Sequence, residues 1–256
     1  IPNLLGPLIA VGIWHVENMS IFAIVMIFIA VTTTLFGYRT TFANTQKEVS
    51  PKDEVLPFNA MTVYVQFFKN KALFCSGMIM ILSSIVFGAM STFIPLYTVR
   101  EGFANAGIFL TIQAITVVIA RFYLRKYVPS DGLWHHRFMM IVLTLLMVAS
   151  VIVAFGPHIV SIFVYISAIF IGITQALVYP TLTTYLSFVL PKIGRNMLLG
   201  LFIACADLGI SLGGVLMGAI SDTVGFKWMY ILCALLVTIA MTLSKIRQRQ
   251  SVSKAS

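Results

Sequence analysis

Few polar side chains interrupt the long apolar runs of this chain, and these are the residues that could do chemistry in apolar surroundings. The only acid well inside such a run is Asp207, ten residues past the start of its run, or about 15 Å along a helix. A carboxyl at this depth could carry a proton, taking it up in one conformation and releasing it in another. It could also bond a neighbouring helix and hold two helices together. The residue alone leaves proton coupling and interhelical bonding both open.

Two amides and two phenols could contact a polar ligand. Gln113 and Gln175 lie deep in their own runs, where they could bind a polar substrate or bond one another across helices. Tyr179 follows Gln175 by four residues, so a helix would place both on one face, next to Pro180. A backbone weakened by proline often lines a cavity. Tyr97 adds a further hydroxyl, and we therefore expect Gln175, Tyr179, Tyr97 and Gln113 near a substrate cavity.

Small residues and prolines mark packing and bending. The seventh apolar run contains two glycine pairs at GxxxG spacing, which lets another helix approach closely: Gly209 with Gly213, and Gly214 with Gly218. Pro95 and Pro180 lie in two long runs, where they predict kinks.

The remaining reactive side chains give little sign of a metal, a cofactor or an enzyme. The four histidines, His15, His135, His136 and His158, fall at the edges of runs, and the three cysteines share no CxxC spacing. An intramembrane aspartyl protease needs two carboxylates at depth, and a serine type needs a histidine base there. The sequence therefore predicts no enzyme, no cofactor and no metal site.

The composition predicts that membrane-spanning helices position these residues. Of 256 residues, 59% are hydrophobic and 10% charged, with mean hydropathy +0.99, whereas a soluble domain carries about 25% charged residues. A bilayer core about 30 Å thick needs roughly 20 apolar residues per helix. Eight apolar segments can be marked: 1–14, 20–37, 72–99, 105–124, 138–155, 160–190, 197–220 and 228–244. The first is too short to span and begins at Ile1, so we expect that the chain is truncated at its N-terminus.

The basic residues assign the two sides of the membrane. When the loops alternate between sides, fifteen lysines and arginines fall on one side and two, Arg100 and Lys227, on the other. Such asymmetry marks the basic side as cytoplasmic. It also accounts for the net charge of +9 without nucleic acid. A charged hairpin at Arg121, Arg125 and Lys126 fits the same pattern of flanking charge.

One long polar stretch, residues 39–71, divides the chain. With five basic residues, three acids and two prolines, it is typical of a cytoplasmic linker between two helical bundles. We therefore expect residues 1–38 to hold the last two helices of a first bundle and residues 72–244 to form a complete six-helix bundle. Residues 245–256 would be a cytoplasmic tail.

The six runs after the linker, the charged hairpin and the glycine-rich seventh run resemble the C-terminal half of a major facilitator superfamily transporter. The stretch "NLLGPLIAVGIW" resembles the fifth helix of drug-exporting members, and "QALVYPTLTTYLSFVLPKIGRNMLLGLFIACADLGISLGG" resembles metallophore-exporting members. The resemblance implies an all-α polytopic membrane protein, helices five to twelve of a twelve-helix fold. One departure is that "ARFYLRKYVPSDG" lacks the acid that the family's hairpin motif carries before the arginine.

The resemblance also implies a function. It points to a secondary active exporter of a nicotianamine-like metallophore across the bacterial cytoplasmic membrane, working by alternating access and coupled to protons. Its partners would be this polar small molecule, the lipid bilayer and the missing N-terminal helices. The cation that anchors the substrate's carboxylates is expected on those missing helices, because the cavity region of this half offers amides and tyrosines but no buried arginine.

The alternative is a broad-specificity drug exporter of the same superfamily. Such a protein needs an aromatic, weakly polar cavity, and the residues that could line one are Phe87, Met90, Phe93 and Phe109. Composition alone does not choose between the two substrates.

Overall fold

The computed structural model describes residues 27–28, 31–32, 34–35, 65, 67–158, 160–191 and 194–252. The first apolar run, most of the second, most of the 39–71 linker and the last four residues lie outside this part of the chain, as does His15. Contacts divide the chain into two units, residues 2–58 and residues 59–256. In the first unit the described residues are all helical. The following account concerns the second unit.

Six long helices make up the described part of the second unit, and each is long and apolar enough to cross a membrane. They are α1 (Lys71–Glu101), α2 (Ala106–Tyr123), α3 (His136–Ala154), α4 (Ser161–Val189), α5 (Arg195–Val224) and α6 (Phe226–Val252). Short 3-10 turns at Arg125–Tyr127 and Gly156–His158 lie between them. The six runs that the sequence assigned to this region each correspond to one helix.

Local sequence signals set the helix ends. The Asn70 side chain caps α1 by accepting from the N–H groups of Ala72 and Leu73, at 3.0 and 3.3 Å. At the other end, Gly102 has a φ of 66°, a left-handed conformation that glycine adopts without strain, and its N–H bonds Thr98 O. The side chain of Asn105 in turn accepts from the N–H of Ile108 to start α2.

Helix α1 lies at the centre of the unit. It packs against α5 and α6, α3 packs between α4 and α6, and α2 packs on α4. Most of the apolar stretch of α1 is buried, whereas less than a quarter of that of α2 is. The exposed side chains include large apolar ones such as Val99, Phe122 and Val215, as expected of a surface in contact with lipid.

Contacts between loops and helix ends tie each end of the bundle together. We call the end of the bundle that carries Arg121, Arg125, Lys126 and Arg137 the basic end. There, Trp134 Nε1 donates to Ser244 O at 3.2 Å, which joins the α2–α3 loop to α6. At the opposite end, Ser161 Oγ donates to Phe103 O at 2.6 Å, which joins α4 to the α1–α2 loop. At each end, one hydrogen bond therefore joins a loop to a helix.

Candidate functional site

The amides of Gln113, which is buried, and Gln175 meet between α2 and α4. Gln113 Nε2 donates to Gln175 Oε1 at 3.2 Å. Gly172 allows this approach, because a Cβ at that position would lie 2.8 Å from Gln113 O and from Thr116 Cβ. One hydrogen bond leaves Gln113 Oε1 buried without a partner among the described residues. Gln175 is only half-buried. The pair thus combines an interhelical bond with unused polar groups.

A cleft of about 640 Å³ lies further along the contact of α2 with α4, and neither glutamine lines it. We call it the basic cleft, and its lining residues are Ala120, Arg121, Arg125, Lys126, Val128, Ser130, Ala176, Leu177, Tyr179, Pro180 and Thr184. The Tyr179 hydroxyl makes no hydrogen bond to any described residue, although its ring lies 6.1 Å from that of Phe202. Pro180 has no N–H, so the carbonyl of Ala176 loses its usual partner within α4. On the α4 wall, the Tyr179 hydroxyl is thus available to a ligand, since no described residue bonds it.

The other wall of the basic cleft carries three cations. Arg121 lies in the last turn of α2, and Arg125 and Lys126 lie in the 3-10 turn that follows. None of them is within 4.0 Å of a carboxylate in the described ranges, where the single ion pair joins His135 to Asp131. The sequence interpreted these charges as flanking residues and expected the anchoring cation on missing helices. The fold places these cations in the lining of the same cleft as Tyr179, because the chain turns back at the end of α2. The location of the anchoring cation stays a prediction.

Tyr97 lies away from this cleft. Its side chain is 3% exposed, and its hydroxyl donates to Ala154 O at 3.4 Å. The ring packs against Phe103, Phe226 and Tyr230 at the end of the bundle opposite the cations. The expectation that Tyr97 lines the substrate cavity therefore needs correction. Residue type and depth indicated a polar cavity group, but the helix turns this face towards α3 and α6.

Asp207 occupies an exposed position on α5. Its carboxylate makes no hydrogen bond or ion pair with a residue of the described part, and only its backbone carbonyl accepts a bond, from Ser211 Oγ at 2.9 Å. The residue does not line the basic cleft. No described residue of this unit therefore bonds the Asp207 carboxylate across helices. A role in proton coupling stays a prediction.

The glycines of α5 divide between two faces. A Cβ at Gly209 would meet Ile81 O and Ser84 of α1, and one at Gly213 would meet Ile85 O. Gly218 faces Phe93. Gly214 has no neighbour within 4 Å of a built Cβ, so its GxxxG pairing with Gly218 does not form a packed seam in this unit. The sequence indicated two GxxxG pairs, but the adjacent residues Gly213 and Gly214 project about 100° apart on a helix, so the two pairs face different directions.

The histidines take part in local structure. His135 Nε2 lies 3.4 Å from Asp131 Oδ2, and His136 Nδ1 lies 3.3 Å from Ser244 Oγ. Across the described ranges, no group of three histidine, cysteine or acidic side chains is arranged to hold a metal ion. Both prolines lie inside helices, Pro95 in α1 and Pro180 in α4, as the sequence indicated.

Sequence reasoning missed one polar cluster at the basic end. Arg247 of α6 donates to the Tyr185 hydroxyl from Nη2 at 2.6 Å and from Nε at 3.0 Å. The Tyr185 ring packs edge-on against Trp134, with centroids 4.9 Å apart. No sequence spacing signals this contact, because its members come from α4, α6 and a loop.

Comparisons with known proteins place this geometry in context. The model of the Major Facilitator Superfamily matches residues 3–192 and 106–256. The chain is 69% identical over 248 residues to the Staphylopine export protein of Staphylococcus aureus (strain Mu50), covering 97% of this chain and 62% of that protein. It is 23% identical over 176 residues to an uncharacterized MFS-type transporter of Burkholderia mallei (strain SAVP1), covering 68% and 42%. The chain thus spans less than two thirds of the relatives it matches.

Proposed function

The chain belongs to the major facilitator superfamily, a family of multi-pass membrane transporters, and from this premise we propose that it forms part of a metallophore exporter. The exported compound is a nicotianamine-like metallophore of the staphylopine type. The likeness to the Staphylopine export protein carries this proposal. The chain supplies helices five to twelve of a twelve-helix transporter, with residues 39–71 as the linker between bundles and residues 245–256 as the tail.

The groups around the basic cleft suit this substrate. A metallophore of this class bears carboxylates and amines, so its site needs donors and cations as well as acceptors. Arg121, Arg125 and Lys126 supply positive charge, and the Tyr179 hydroxyl supplies a further donor. Gln113 Oε1 supplies an acceptor without a partner in the described part. These groups lie along one contact between α2 and α4.

The alternative, a broad-specificity drug exporter, receives less support from this unit. Its aromatic cavity would use Phe87, Met90, Phe93 and Phe109, but these side chains are all buried in helix packing, with Met90 and Phe109 at 0% exposure. None of these four side chains lines the basic cleft.

Transport proceeds by alternating access, with two bundles rocking about a site near the midplane. The basic end of the unit faces the cytoplasm, since nearly all lysines and arginines of the loops lie there. Asp207 is the candidate for proton coupling, because its exposed carboxylate at membrane depth has no described partner to neutralise it.

Transport into inside-out membrane vesicles tests the proposal. Vesicles containing the full-length protein should accumulate staphylopine when respiration acidifies their interior, and a protonophore should abolish the accumulation. Vesicles without the protein are the control. Accumulation of ethidium without accumulation of staphylopine would favour the drug exporter instead, and accumulation unaffected by the protonophore would remove the proton coupling.

A further inference from the structure

We propose that the basic cleft is an oxyanion subsite at the cytoplasmic entrance, where carboxylates of the substrate bind before the substrate reaches the amide pair. This inference rests on the proposed function and adds a place and a chemistry to it. Arg121, Arg125 and Lys126 contact the carboxylates from one wall, and the Tyr179 hydroxyl donates from the other.

The dimensions of the cleft suit a small molecule. Its volume of about 640 Å³ falls within the range of roughly 300–1,000 Å³ that is typical of ligand pockets. Its walls come from two helices and the turn after α2, so a bound anion would bridge α2 and α4. Charged and hydroxyl-bearing residues are mixed with apolar ones such as Leu177 and Val128, which is the usual lining of a small-molecule site.

The charge of the cleft is not neutralised from within the described part of the chain. The acid nearest in sequence, Asp131, pairs with His135 at 3.4 Å and accepts from Leu133 N at 3.1 Å. The three cations are exposed, and Lys126 contacts only the Tyr127 ring, at 5.1 Å. Like charges gathered in a cleft with low-dielectric walls raise the local concentration of anions. An anionic substrate therefore gains attraction here that an uncharged one does not.

The backbone holds these cations in place. Tyr127 N donates to Leu124 O at 3.0 Å, and Val128 N donates to Arg125 O at 3.2 Å, which forms the 3-10 turn. Arg137 gives a useful comparison, because it is an exposed cation at the start of α3 and does not line the cleft. If the three cations of the cleft were only flanking charges, replacing Arg137 would affect substrate binding as much as replacing any of them.

The cleft and the amide pair lie along the same contact of α2 with α4, with the buried side chains of Val117, Ala120 and Ala176 packed between these two helices. Tyr179 follows Gln175 by one turn of α4, about 6 Å along the helix axis, and Arg121 follows Gln113 by eight residues of α2, about 12 Å. The substrate's carboxylates would meet the cations first, the Tyr179 hydroxyl next and the amides last. The subsite thus lies between the cytoplasm and the midplane.

Binding measurements on the full-length transporter in nanodiscs test the inference, with staphylopine and its carboxylate methyl ester as probes. The variant R121Q/R125Q/K126Q should bind staphylopine about tenfold more weakly than wild type, with the methyl ester unaffected. Raising the ionic strength should weaken wild-type binding, because charges separated by more than about 10 Å are screened at 0.1 M salt. It should have little effect on the variant. R137Q is the matched control, and R125Q alone keeps the test open if the triple variant does not fold.

Other outcomes separate the explanations. Wild-type affinity in the triple variant, or an equal loss in R137Q, would overturn the subsite while leaving the proposed function intact. Failure of wild type to bind staphylopine would instead overturn the proposed function and the assigned substrate together. Lipid phosphate is an oxyanion too. If the variant loses co-purifying phosphatidylglycerol, yet binds staphylopine like wild type in phosphatidylcholine nanodiscs, the cleft is a lipid site and the inference fails.

Discussion

The side-chain amides of Gln113 and Gln175 bond across the contact of α2 with α4, with Nε2 and Oε1 3.2 Å apart. The bond satisfies one donor and one acceptor and leaves Gln113 Oε1 buried without a described partner. A buried carbonyl without a donor is costly. A ligand amine that donates to it would recover that cost, so the pair can serve both helix packing and substrate binding.

A double-mutant cycle on the amide pair separates these roles. Gln113→Leu and Gln175→Leu should each lower the melting temperature of the full-length protein, because each removes the interhelical hydrogen bond and leaves the other amide without its partner. The double variant should recover part of the loss, with a coupling energy of about 1 kcal/mol. Additive effects of the two substitutions would contradict an energetically coupled pair.

The α1–α5 seam predicts opposite outcomes at two neighbouring glycines. Gly213→Ala should lower the stability by about 1–3 kcal/mol, since the added Cβ would collide with the carbonyl oxygen of Ile85, which belongs to a rigid backbone. Gly214→Ala is the matched control and should not destabilise the protein, because alanine favours helix and no neighbour lies within 4 Å. Thermal unfolding of both variants measures this, and equal losses would place both glycines in one seam.

Arg247 should stabilise the basic end of the bundle through Tyr185. Arg247→Ala should lower the stability by about 1 kcal/mol, since it removes two charge-assisted hydrogen bonds from a buried phenol. Lys245→Ala, an exposed cation on the same helix, is the control and should have little effect. If Arg247→Ala remains equally destabilising in a Tyr185→Phe background, the contact with Tyr185 is not the cause.

The sidedness of the membrane is open to direct test by cysteine labelling. In a version without Cys75, Cys205 and Cys233, a cysteine at Lys227 should react with an impermeant maleimide in intact cells. A cysteine at Arg137 should react only after the membrane is permeabilised, because the excess of lysine and arginine predicts that this end faces the cytoplasm. Labelling of the Arg137 position in intact cells would reverse the topology.

The helices of the second unit were predictable from the sequence, since an apolar run of about 20 residues has few other stable forms. The C-terminal end of α6 was not predictable in this way. The run stops at Ser244, but the helix continues to Val252, because a polar helix can extend beyond the bilayer.

The contacts of individual side chains were harder to predict, because depth in a run does not determine which neighbour a face meets. Gln113 and Tyr97 are both polar residues in apolar runs. Gln113 nevertheless lies in the contact of α2 with α4, whereas Tyr97 packs at the end of the bundle opposite the basic cleft. The basic cleft itself depends on the turn after α2 folding back towards Pro180. That arrangement is tertiary, and hydrophobic patterning carries no information about it.

Tyr179→Phe gives the sharpest test of substrate contact, because it removes one oxygen and nothing else. The Tyr179 hydroxyl has no hydrogen-bond partner among the described residues, and its ring packs on Phe202. The phenylalanine variant should therefore keep wild-type stability. A hydrogen bond to a charged group is worth about 1.5–3 kcal/mol, so affinity for staphylopine should fall roughly ten- to a hundredfold. Binding and melting temperature of the full-length variant are the two measurements.

Tyr185→Phe is the matched control for this prediction, since Tyr185 lies on the same helix but its hydroxyl accepts two hydrogen bonds from Arg247. It should lose stability and keep its affinity for staphylopine, the reverse of Tyr179→Phe. The contrast isolates the substrate contact from any general effect of removing a phenol from α4. Wild-type affinity in Tyr179→Phe would remove Tyr179 from the substrate site, and a shared loss of stability in both variants would make its role structural.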